Sequence, residues 1–226
     1  MGGLRPDQCQ AARGFVTTLR SVRAVAEVIA TARRSDRRRI LVGIVGSPGA
    51  GKSTIAEEVV ELLSPDAVLL PMDGFHLPQS TLIKLGRRER MGAPDTFDVD
   101  DFRSILTSLR ERVGNSATPL SVPGFDRERE EPVPDAVEIS PTFSTVVVEG
   151  NYLLLDSRGW EGIAGMLDLT FFVEVDHETR VGRLVARHER FGKSPEDARA
   201  WALGPDEANA RLIEATASRA DYHIRL

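Results

Sequence analysis

Gly46-Ser47-Pro48-Gly49-Ala50-Gly51-Lys52-Ser53 is the stretch from which the rest of the chain can be read. It meets the phosphate-loop template G-x-x-x-x-G-K-[ST] at every fixed position. Before it, Arg39 to Val45 is short, apolar and β-branched, the composition of a strand buried on both faces of a parallel sheet. After it, from Thr54, the apolar residues Ile55, Val59 and Leu62 or Leu63 recur at helical spacing until Pro65. Strand, glycine loop and helix in that order separate a phosphate loop from a chance glycine-rich turn.

Glycines allow the tight turn that brings successive backbone N–H groups to one centre, and the helix N-terminus adds the positive end of its dipole. The loop Gly46, Ser47, Pro48, Gly49, Ala50, Gly51, Lys52 and Ser53, with Thr54 behind it, is therefore expected to hold nucleotide phosphates. Lys52 is expected at the β- and γ-phosphates and the Ser53 hydroxyl on Mg²⁺, so ATP and Mg²⁺ are the expected cofactors.

Composition sets the bounds. The 226 residues suffice for one substantial domain, and 41% hydrophobic with 28% charged residues is ordinary for a soluble globular chain. A net charge of −5 argues against a general nucleic-acid-binding surface. One cysteine, Cys9, excludes an intrachain disulfide and fits a reducing compartment. No apolar run approaches a membrane span, Met1 to Pro6 has no secretory core, and the four histidines lack metal-ligand spacing. The expectation is a cytoplasmic domain without a nucleic-acid or membrane partner.

Along the chain, Pro6 to about Ala32 reads as a helix with Phe15, Leu19, Val22, Ala26 and Ile29 on one face. Packed on its own sheet it completes a monomer; packed on a second subunit it makes a homodimer. Arg33 to Arg39 reads as a solvated basic link. Ala67 to Leu70, Thr145 to Val148, Leu169 to Val175 and Tyr222 to Leu226 read as further strands. Residues 78–95 read as irregular, and Asp98 with Asp101 as a capping box for a helix through Leu109. Residues 114–141 read as a hairpin excursion, Asp176 and Ser194 as caps of two helices, and Glu207 to Ser218 as a further helix. Strands alternating with helices predict an α/β fold with a mostly parallel sheet and a helical lid over 177–203.

In open parallel sheets ligands sit beyond the carboxyl ends of the strands. Asp73 and Glu149 each follow such a strand end. Asp73 is expected to take the proton of an attacking hydroxyl, and Glu149 to serve Mg²⁺ through water. Arg180, Arg183 and Arg187 fall at i, i+3 and i+7 and suit a lid that donates to phosphoryl oxygens, with Arg183 and Arg187 favoured.

With these residues in place, the chain from Ile40 onward resembles the uridine kinase, pantothenate kinase and phosphoribulokinase group of P-loop kinases. The carriers are Gly46–Ser53, Asp73-Gly74-Phe75, Asp95-Thr96-Phe97-Asp98, Val122 to Asp126, Val148-Glu149-Gly150 and Asp176 to Arg187, in the family's order. The stretches Arg187 to Gly192, Ser194 to Trp201 and Asn209 to Ile213 resemble bacterial members labelled fructose-transport or sugar kinases. The resemblance implies a catalytic Asp73, an acceptor pocket lined by Phe97 and Asp98, a metal-associated Glu149 and phosphate contacts from the arginine helix.

Uridine kinases carry a tyrosine and a histidine in the hairpin where this chain has Phe125 and Glu130, which disfavours a pyrimidine nucleoside. His76 stands equally as a contact to the acceptor hydroxyl or as a structural histidine. Arg127 and Arg129 stand as contacts to an acidic acceptor or as exposed hairpin charges. The reading is a kinase that phosphorylates a hydroxyl of a small metabolite, a sugar or sugar derivative before pantothenate or a nucleoside. A nucleotide-dependent switch is the rival from another class. It leaves Asp73, Asp98 and the lid arginines without a task, and the chain has no Asn-Lys-x-Asp motif to read a guanine base.

Overall fold

The protein's structure, a computed structural model, describes residues 16–35, 39–111 and 118–226. In chain order the first elements are β1 (Thr17–Leu19), α1 (Val22–Ser35), β2 (Ile40–Val45), α2 (Lys52–Leu62), β3 (Ala67–Pro71), α3 (Gln79–Lys84) and α4 (Val99–Glu111). There follow β4 (Leu120–Asp126), β5 (Glu131–Ile139), β6 (Thr145–Gly150), β7 (Leu169–Val173), α5 (His177–Arg190), α6 (Pro195–Leu203), α7 (Pro205–Glu214) and β8 (Tyr222–Ile224).

Six strands form one sheet in the order β1-β8-β7-β2-β6-β3, and every neighbouring pair in it is parallel. β2 and β6 are buried at every position, as their unbroken apolar β-branched runs require of strands covered on both faces. Thr145 of β6 pairs Ile40 of β2 on one side and Ala67 of β3 on the other, so the three strands start level. Their carboxyl ends are level too, with Val45 beside Gly150 and Pro71 beside Glu149. This register delivers the phosphate loop, the turn after β3 and Glu149 to one edge of the sheet.

One face of the sheet packs Ile40, Val42 and Ile44 against Val25 and Ile29 of α1 and Ile55 and Val59 of α2. The other packs Leu41, Val146 and Val148 with Phe102 and Leu106 of α4, Tyr152 and Trp160. Each fully buried Leu, Ile, Val or Phe contributes about 1.5–3 kcal/mol relative to exposure, so the two layers together hold the helices on the sheet. The antiparallel β4–β5 hairpin lies outside that sheet and packs on the turn after β3.

The amino-terminal expectation needs correcting. Residues 6–15 lie outside the described residues, and Thr17–Leu19 is a strand on β8, with the helix starting only at Val22. Ser21 caps it, its hydroxyl accepting from the Ala24 N–H at 3.2 Å. The basic link is not all solvated either. Arg39 is buried and donates to the carbonyls of Leu109, Ser140 and Phe143 at 2.9–3.2 Å, tying the end of α4 to the foot of β6. The irregular stretch contains the short helix α3. No helix among the described residues is long and apolar enough to cross a membrane.

Candidate active site

The phosphate loop closes with Gly49 at φ 81° and Gly51 at φ 93°, left-handed backbone that glycine alone adopts without strain. At Gly49 a Cβ would also lie 2.8 Å from the Arg180 carbonyl, so the loop is seated directly on α5. Lys52 begins α2 and folds back over the loop, its Nζ donating to the Ser47 carbonyl at 3.2 Å. Its side chain is 8% exposed and that of Glu149 7%, with Nζ 3.9 Å from Oε1. Burial lowers the Lys52 pKa, opposed by Glu149 and Asp73, and burial raises that of Glu149, opposed by Lys52. The Ser53 hydroxyl donates to Glu149 Oε2 at 3.2 Å.

Asp73 follows β3 in the turn Met72–Phe75. Arg127, at the tip of the β4–β5 hairpin, donates from Nη2 to Asp73 Oδ2 at 3.1 Å. Burial alone would raise the Asp73 carboxyl, but the neighbouring His76, Arg127, Lys52 and Arg187 hold it below the usual carboxylate range. His76 shares its Nδ1 with the Asp73 carbonyl at 2.8 Å, an acceptor that fixes the proton on Nδ1. Its ring lies 4.0 Å from that of Phe97 and 4.7 Å from that of Phe125. Burial pulls its pKa below that of a free imidazole, so it is neutral at pH 7 with Nε2 an acceptor.

Lys52, Ser53, Asp73, His76, Glu149 and Arg187 line one cleft of about 170 Å³ at the carboxyl edge of the sheet, and Pro48 and Arg127 line it with them. Ser53 and the two carboxylates offer only oxygen donors, which suits a hard divalent cation. No cluster of three His, Cys, Asp or Glu side chains able to hold a metal occurs among the described residues. Mg²⁺ takes one or two protein oxygens and leaves the rest to phosphates and water.

Other expected residues lie elsewhere. Asp98 is exposed and caps α4, its Oδ1 accepting from the Asp101 N–H at 2.9 Å. Phe97 is buried behind His76, and neither Phe97 nor Asp98 lines the cleft. Arg180 is 1% exposed and turned away from the cleft, in an ion pair with Glu207 of α7, because α7 covers that side of α5. Arg183 donates to the Ala50 carbonyl at 3.3 Å. Arg129 is exposed and pairs with Asp126 at 3.6 Å.

Two regions escape sequence reasoning. A second cavity of about 530 Å³ opens behind the loop, between Gly51, Thr54 and Glu58 on one side and Val175, Asp176 and Arg183 on the other. The first cleft also extends past Asp73 to His188, Lys193 and Trp201 of the α5–α6 region and to Asp206 and Asn209 of α7. These residues meet only through the packing of three helices, and no spacing in the sequence announces it.

The profile of the "Phosphoribulokinase / Uridine kinase family" matches residues 41–225. Among curated proteins, the uncharacterized protein YggC of Escherichia coli is 32% identical over 197 residues, 85% of this chain and 80% of its own. The ATP-dependent kinase-like protein notR' of Aspergillus versicolor is 38% identical over 133 residues, 57% of this chain and 77% of its own. Among solved structures, a "putative fructose transport system kinase" from Silicibacter superposes with a TM-score of 0.81 at 35% identity, over 90% of this chain and 98% of that one.

Proposed function

This chain belongs to the phosphoribulokinase/uridine kinase family and is a P-loop kinase, and from that premise we propose that it transfers the γ-phosphoryl group of ATP to a hydroxyl of a small sugar or sugar derivative. The observation that carries this reading is the meeting of Lys52, Ser53 and Glu149 with Asp73 and His76 in one cleft with room for a small acceptor.

The loop amides and Lys52 hold the triphosphate, with its nucleoside end in the cavity between Thr54 and Arg183. Ser53 and Glu149 would hold Mg²⁺, which when bound neutralises charge on the β- and γ-phosphates. Asp73, kept ionised by its cationic neighbours, orients the acceptor hydroxyl, and the neutral His76 offers Nε2 as a second acceptor of that hydrogen bond. The hydroxyl oxygen then bonds to the γ-phosphorus, the bond from that phosphorus to the bridging oxygen breaks, and the proton passes to Asp73. Arg187 supplies charge to the transferring group. The protein's contribution is mainly positioning and electrostatics.

The deciding experiment measures ADP formation by the purified protein with Mg²⁺ and ATP against sugars, sugar acids, pantothenate and nucleosides. Acceleration by a sugar or sugar acid is the expected result. Acceleration by a nucleoside alone would refute the acceptor class, and turnover raised by no small molecule but by a protein partner would replace it with the switch reading.

A further inference from the structure

Beyond Asp73 the cleft is built by the α5–α6 turn and the start of α7. Gly192, at φ 93°, ends α5 with its own N–H on Glu189, and the next N–H, of Lys193, donates to the His188 carbonyl at 3.1 Å. This left-handed cap fixes where the Lys193 side chain departs. The ammonium then lies 4.5 Å from the centre of the Trp201 ring, which α6 supplies. The His188 ring flanks the same indole at 6.4 Å.

The acids of this half of the cleft are each matched. Asp206 meets His188 Nε2 at 2.7 Å, Glu130 meets Arg88, and Asp73 meets Arg127. Lys193 has no carboxylate partner among the described residues. A positive charge held at a fixed place in a cleft whose acids are already engaged calls for an anion from outside.

Resting on the kinase reading and deepening it, we infer that the acceptor carries an anionic group, a carboxylate or a phosphate monoester, remote from its reacting hydroxyl and bound by Lys193 at the Trp201 end of the cleft. Lys193 is thereby the residue that selects sugar acids or sugar phosphates over neutral sugars.

The test uses matched acceptors, glucose, gluconate and glucose 6-phosphate, in two readouts. The first is ADP formation with Mg²⁺ and ATP. The second is tryptophan emission, titrated with each compound while a non-hydrolysable ATP analogue fills the phosphate loop; it needs no turnover and so stands apart from the kinase reading. Its Trp201 part is assigned by comparison with Trp201→Phe, which keeps Trp160. The anionic members are expected to move the Trp201 signal and glucose not to, with gluconate and glucose 6-phosphate telling carboxylate from phosphate. Lys193→Met is expected to weaken the anion about tenfold and Lys193→Arg to retain most of it. Preference for glucose, an unmoved Trp201 signal with all three compounds, or equal anion binding by Lys193→Met would overturn the inference.

Discussion

Asp73 sits under opposed influences: its partial burial favours the protonated form, and the surrounding cations favour the carboxylate more. The consequence is an acid always ready to accept a hydrogen bond and never a strong base, which suits phosphoryl transfer, where proton removal is late. Asp73→Asn keeps the shape and loses the charge. It is expected to leave the Kd for ATP within a few-fold and to lower kcat by about 10²–10⁴, checked by binding and turnover side by side. Near-normal turnover would remove Asp73 from that role. Lys52 gives a second expectation. Its protonated form binds phosphate, and burial has lowered its pKa from 10.5. The alkaline limb of kcat/KM for ATP should therefore lie below pH 10.5, while that of kcat lies higher because bound phosphates favour the ammonium. A pH profile with both limbs at the same place would contradict this.

At the scale of elements, the hairpin is held to the catalytic turn by contact of backbone with backbone. A Cβ on Gly74 would lie 2.2 Å from the Pro123 carbonyl oxygen, a clash that no side-chain rotation relieves. Gly74→Ala is expected to push β4 away, cost about 1–3 kcal/mol of stability and raise the KM for the acceptor as Arg127 leaves Asp73. Gly165→Ala, with nothing within 4 Å of the added methyl, is the comparison; thermal melts and kinetics of the pair decide it. The elements also explain what was legible beforehand. The phosphate loop, Asp73 and Glu149 are local features at strand ends, so their convergence follows from a parallel sheet alone. Spacing puts Arg180 on the lid face, but it defines a helix face without saying whether solvent or another helix covers it, and α7 covers this one. Asp98 satisfies a capping box, and that local role holds its Oδ1 on the Asp101 N–H, outside the cleft. Thr17–Leu19 is too short for any periodicity to register.

For the whole molecule, the phosphate loop is tied to the helical layer, since the loop rests on α5, α5 on α7 through Arg180 and Glu207, and Ser47 donates to Glu214 of α7 at 3.2 Å. Nucleotide at about 100 times its Kd should add about 2.7 kcal/mol and raise Tm by about 5–10 °C. Lys52→Ala should lose most of that shift at the same ATP concentration, measured by calorimetry. An equal shift in the variant would count against the site. Lys193, His188, Trp201 and Asp206 belong to this scale as well, because three helices must pack before they share a cleft, and for that reason no spacing in the sequence announces their meeting.

The level register of β2, β6 and β3 bears on how this chain can tolerate insertions and deletions. Removing one residue from β3 would draw the following turn back by about 3.3 Å and turn alternate side chains to the opposite face. Asp73 would then be out of reach of any hydroxyl poised over Ser53. One residue lost from the β4–β5 tip would shift Arg127 and leave the other groups where they are. Length variation among descendants of this sequence should therefore collect in the hairpin and the helix connections, while the three strands keep their residue count.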